Sequence, residues 1–148
     1  MAALSRKAWA DAVVACALAR RRVSGVAPYF FTSANGNVLS RYASTPEFRA
    51  MIDSADAVDA DGQPLVIASR WMTRTPIPER AATTDVFHDV AAAAAAKGLS
   101  FYLLGGSEEI NQIAVEKKAA KNPGLVIAGR RNGYFKPEDE TAVIAAIN

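Results

Sequence analysis

Segments of strand character alternate with segments of helical character along this chain, and that alternation restricts the fold more than any other feature. Aromatic or β-branched runs at 27–33 (APYFFTS), 55–60 (ADAVDA), 99–106 (LSFYLLGG) and 124–129 (GLVIAG) read as strands. Helices are expected over about 4–22, 35–42 and 84–97, and after Thr45, Pro64, Ser107 and Pro137, the last running to Asn148. Thr45 stands as an N-cap before a first-turn proline, Pro46. Gly98 stops the helix that Thr84 or Asp85 opens. The run PLVIASRWM from Pro64 suits a buried helix, although its apolar content fits a strand equally well. Strands joined through helices pair in parallel, so the expected class is α/β, a parallel sheet with helices on both faces.

With 148 residues the chain is one domain's worth, 1–148, with neither repeat nor linker. A hydrophobic share of 51% against 22% charged argues against disorder, and the alanine run 91–96 is simply good helix. A net charge of +2 from scattered basic residues is too small to imply a nucleic-acid partner, and none is expected. The one basic cluster, Arg20-Arg21-Arg22, suits either a solvated helix C-terminus or contact with anionic phospholipid. The single cysteine, Cys16, rules out an internal disulfide, points to the cytoplasm and reads as a small core residue. No apolar run reaches the ~18 residues of a membrane span. Asp11 and the arginines interrupt the N-terminal apolar stretch as a signal peptide, so a soluble or peripheral protein is expected. His88, the lone histidine, reads as a helix-face residue, and without partner ligands no metal site of the usual kind is expected.

Ligands of parallel sheets bind beyond the carboxyl ends of the strands. Polar residues and glycines gather at those ends: Thr32, Ser33 and Asn35, then Asp59 and Asp61, then Gly105 and Gly106. In the stretch DADGQP, Asp61 could cap the helix that follows, or act as a general base on a rigid strand end. Asp59, two residues earlier, would share its face, and two carboxylates there raise each other's pKa. The Gly105-Gly106 pair before Ser107 could offer backbone N–H groups to a phosphate, although Glu108 and Glu109 could equally serve only the helix start. Arg70, Arg74 and Arg80 follow Asp61. Arg80, on a loop with Pro76 and Pro78, could fork onto diphosphate oxygens or form a surface ion pair.

In order, the segments TSANGNVLSRYASTPEFRAMIDSADAVDADGQPLV, ERAATTDVFHDV, GLSFYLLGG and NPGLVIAGRRNGYF resemble the WecG/TagA/CpsF glycosyltransferase family, from about residue 28 onward. The resemblance implies a Rossmann-like fold and an inverting, metal-independent transfer from a UDP-sugar, N-acetylmannosamine or a uronic-acid relative. The acceptor it implies is a polyprenyl-diphosphate-linked saccharide of bacterial polysaccharide assembly, met at the inner face of the cell membrane. It makes Asp61 the base, Asn35 and Ser33 pocket residues and Arg80 the loop arginine; beside these, Asp59 is expected to support the site, and backbone N–H groups near Gly105 and Gly106 to help Arg80 offset charge on the nucleotide diphosphate. Asn37 and Thr83 depart from the family pattern, glycine being usual at the latter position. The family continues into a further strand, a Pro-Lys-Gln-Glu motif and a basic appendage. An incomplete sheet is therefore expected, whose open edge invites self-association. The other reading is a non-catalytic nucleotide-sugar-binding or interaction module.

Overall fold

Ser5 accepts a hydrogen bond from the Ala8 N–H and so starts the first helix, α1 (Arg6–Arg20). Its indole at Trp9 lies edge-on against Phe31, with ring centroids 5.6 Å apart and planes at 89°. Phe31 opens strand β1 (Phe31–Ala34), which pairs in parallel with β2 (Ala57–Ala60). The register sets Ser33 opposite Asp59 and Ala34 opposite Ala60. Between the two strands lie α2 (Gly36–Ser44) and α3 (Pro46–Asp53). After β2 come α4 (Gln63–Met72), a loop, and α5 (Thr83–Ala95).

A second parallel pair follows, β3 (Ser100–Leu104) with β4 (Val126–Arg131), joined through α6 (Glu108–Lys121). A short 3-10 turn, Pro137–Asp139, then leads into α7 (Glu140–Ile147). These are the features of a computed structural model that describes residues 1–21, 23 and 25–147. Arg22, Ser24 and Asn148 lie outside the described residues. With them go the far end of the helix expected over 4–22, the third arginine of its cluster and the last residue of the final helix. The chain divides into two units, Met1–Val90 and Ala91–Asn148, each holding one strand pair.

The α/β class and the parallel pairing are as the alternation predicts. The strands are shorter at their starts than the apolar runs. Phe30 stays outside β1 because Asp56 takes both of its backbone groups, its carboxylate accepting from the Phe30 N–H at 2.7 Å and its own N–H donating to Phe30 O at 2.9 Å.

Among the described residues, two small apolar clusters help hold the first unit. Trp9, Ala81 and Val86 bring α1 and α5 onto β1, with Phe31 and Ala57 packed against them. Ala60, Val66 and Ile77 join α4 and its following loop to β2, with Leu65 alongside. The PLVIASRWM run is a helix, its Val66 and Ser69 buried while Trp71 is 84% exposed. Cys16 is half-buried on α1 and His88 is exposed on α5. Arg20 closes α1 and lies over the Tyr29 ring, 4.5 Å from its centroid, so this arginine is engaged within the chain rather than merely solvated.

Candidate active site

The end of β2 is fixed on both sides. The Asp61 N–H donates to Ala34 O at 2.8 Å, and the Ala81 N–H donates to Ala60 O at 3.0 Å. The loop after α4 is thereby brought back to the strand end, carrying Arg80 with it. A buried hydroxyl secures that return, since Ser69 Oγ donates to Val66 O and accepts from the Ile77 N–H at 2.9 Å.

Asp61 does not cap a helix. The N-cap of α4 is Gly62, with no side-chain cap bond. The Asp61 carboxylate instead meets Arg80 Nε at 3.5 Å through Oδ1 and Thr83 Oγ1 at 3.5 Å through Oδ2. Its side chain is a quarter exposed, reachable by a ligand yet held by two neighbours. Gly62 lies in van der Waals contact with Asn35, where a Cβ would sit 3.7 Å from the Asn35 Cα.

Capping falls to Asn35, whose Oδ1 accepts from the N–H groups of Asn37 and Val38. Thr45 occupies the N-cap position of α3 without a side-chain cap bond. Neither Thr84 nor Asp85 caps α5, which begins at Thr83.

Asp59 is the buried member of the group, 4% exposed, and its Oδ1 has no hydrogen-bond partner among the described residues. Burial pushes its carboxyl above the ordinary range, a hydrogen bond with Ser33 opposes that, and the Asp61 charge adds to it. Ser33 Oγ accepts in turn from Thr83 Oγ1 at 2.8 Å. One short chain of polar groups therefore runs Asp59, Ser33, Thr83, Asp61, Arg80. It borders a mostly apolar cavity of about 180 Å³ lined by Trp9, Phe31, Val86 and Val90 among others, with Ser33, Asp59 and Thr83 supplying polar groups.

Gly105 and Gly106 belong to the second unit, at the carboxyl end of β3. Their φ angles of 137° and 69° are open to glycine and strained for other residues. The Gly105 N–H donates to Arg131 O at 3.1 Å, and the Gly133 N–H donates to Gly106 O at 2.9 Å. The turn and the loop after β4 approach so closely that a Cβ on Gly133 would lie 3.0 Å from the Gly105 Cα. At the start of α6, Ser107 accepts from the Ile110 N–H. Glu108 bonds Asn132 and pairs with Arg130 at 2.6 Å, contacts that hold its carboxyl below the usual range.

Two site-shaping residues had little signal in the sequence. Thr83 stood out only as a departure from the family pattern, a threonine where glycine is usual after the loop arginine. Asn111 showed nothing, an ordinary amide in the first turn of a helix. It is buried, and its Nδ2 donates to the carbonyls of Leu103, Gly105 and Arg131, tying α6 to both strand ends.

A family model for the glycosyl transferase WecG/TagA/CpsF family matches residues 1–148. A curated relative from Bacillus spizizenii, named N-acetylglucosaminyldiphosphoundecaprenol N-acetyl-beta-D-mannosaminyltransferase, is 27% identical over 113 residues. Those residues are 76% of this chain and 44% of that protein, so the chain matches less than half of the relative's length.

Proposed function

This chain belongs to the glycosyl transferase WecG/TagA/CpsF family, and on that premise we propose that it carries the base half of a sugar-transfer site. The observation that carries the reading is the Asp61 carboxylate, free of any capping duty and set between Arg80 and Thr83 at a strand end. The donor is a UDP-sugar of the N-acetylmannosamine or uronic-acid type. The acceptor is a saccharide on a polyprenyl diphosphate, the chemistry named for the Bacillus relative. Among the described residues no helix is long and apolar enough to cross a membrane, and the proposal places the protein peripherally at the membrane face where such an acceptor lies.

In the proposed reaction Asp61 takes the proton of the acceptor hydroxyl while that oxygen attacks the anomeric carbon. The bond from that carbon to the diphosphate oxygen breaks with inversion, and its electron pair leaves on the nucleotide. Arg80 offsets the charge developing there through charge-assisted hydrogen bonds. Asn35 and Ser33 shape the sugar pocket. No resident metal is required in this scheme, so transfer measured in EDTA should match transfer measured without it.

The test is Asp61→Asn in the form of the protein that transfers sugar. Transfer should fall at least ~100-fold, the scale of a general base, while UDP-sugar binding measured by calorimetry stays within twofold. Wild-type turnover in that variant would remove Asp61 as the base.

A further inference from the structure

We propose that the far end of α4 docks this protein on an anionic lipid surface, with Ile67, Trp71 and Met72 entering the interface and Arg70 and Arg74 meeting the headgroups. The inference gives a surface to the peripheral placement proposed above and rests on that placement, not on the role of Asp61.

α4 carries apolar residues on the face turned away from its core. Val66 and Ser69 are its buried residues. The opposite face holds Pro64, Ile67 and Trp71, spaced i, i+3 and i+7, and all three are exposed. Trp71, Tyr134 and Met72 are the most exposed large apolar side chains among the described residues, and two of the three are neighbours here. A helix of a globular domain ordinarily turns polar residues outward. An outward apolar stripe that ends in tryptophan marks a surface for a partner.

The charge around the stripe has one sign. Arg70 lies in the last turn of α4 and Arg74 just beyond it, both exposed. No ion pair among the described residues engages either of them. No acidic residue occurs between Asp61 and Glu79. Arginines beside a tryptophan suit a bilayer interface, where guanidinium groups meet phosphates and the indole sits at headgroup level. A neighbouring cavity favours lipid over a protein partner. It holds about 490 Å³, is mostly apolar, and is lined by Leu39, Leu65, Ala68 and Ile77 among others. The exposed Met72 and Thr75 also line it, so it opens beside the stripe. A single acyl or prenyl chain fits such a space, whereas a folded protein surface does not enter it.

Co-flotation of this chain with vesicles tests the surface without any transfer assay. The chain should bind vesicles of equal parts phosphatidylcholine and phosphatidylglycerol, and bind phosphatidylcholine alone at least ~fivefold more weakly. On binding, the emission of Trp71 should shift to the blue and be quenched by bromine-labelled acyl chains. Trp71→Phe should keep the binding and lose that signal. Trp71→Ser should weaken binding about tenfold, the scale of one large apolar side chain. Arg70→Gln and Arg74→Gln should each weaken it about fivefold, while Arg21→Gln, at the end of α1, leaves it unchanged. No binding to the mixed vesicles, equal binding by Trp71→Ser, or a loss in Arg21→Gln as large as in Arg70→Gln overturns the proposal. So does a self-associated form, seen by sedimentation, that Trp71→Ser takes apart, since the stripe would then join two copies of the chain. The reading of Asp61 as the base fails separately. Asp61→Asn should bind vesicles as wild type does, so wild-type transfer in that variant removes the base and leaves the docking surface standing.

Discussion

At Asp59 the strand places a carboxyl where water does not reach, and the consequence is measurable as stability. A carboxyl whose pKa is raised by folding favours the native state at low pH, and that contribution is lost as pH rises through the folded-state pKa. Asp59→Asn should therefore be neutral or slightly destabilising in acid. Near pH 7 it should be stabilising by on the order of 1 kcal/mol, the scale of an unsatisfied buried acceptor. Denaturant melts across pH would show it, and a difference that shrinks with rising pH would contradict the assignment. Sequence alone left Asp61 open between a helix cap and a base, and held no capping role for Asn35. An aspartate before a glycine and a helix is a fair cap candidate, yet Gly62 holds the N-cap position and Asn35 does the capping for α2. Residue type and spacing suit both outcomes, and only side-chain direction separates them.

Between elements, the loop after α4 is the part whose placement makes the site. Its return depends on Ser69, whose hydroxyl accepts from Ile77 N–H, and on Ala81, which donates to Ala60. Ser69→Ala should cost about 1–2 kcal/mol by leaving the buried Ile77 N–H unpaired. It should also raise the UDP-sugar KM by releasing Arg80, whereas an unaltered KM would mean that Ala81 alone positions the loop. Elements with local signals were legible. Ser107 before Glu108-Glu109 starts α6 as its residues predict, and Pro46 starts α3. The misplaced boundaries lie where a distant group intervened. Phe30 has strand character, but Asp56, twenty-six residues away, takes its N–H. α5 begins at Thr83, before the expected Thr84 or Asp85, and the Thr83 hydroxyl bonds Ser33, fifty residues back in the chain.

For the whole molecule, the two tryptophans report on the fold independently. Trp9 is 3% exposed beneath α1 and Trp71 is 84% exposed at the end of α4. Acrylamide should quench one emission component readily and the other weakly. Trp71→Phe should remove the quenchable component and leave a blue-shifted emission that moves red only on unfolding. Equal quenching of both would refute the packing of α1 on β1. The alternating pattern determined the α/β class and the parallel pairing, because strand and helix periodicities are local properties and helical crossovers allow few other solutions. The same locality placed the candidate residues at strand ends. Tertiary structure alone decided that the acids at 59 and 61 differ in burial and that Ser33 and Thr83 stand between them. It also decided that Arg80 returns to Asp61. Those facts depend on cross-strand register and on a loop's hydrogen bonds, contacts between residues far apart in sequence that no local pattern encodes.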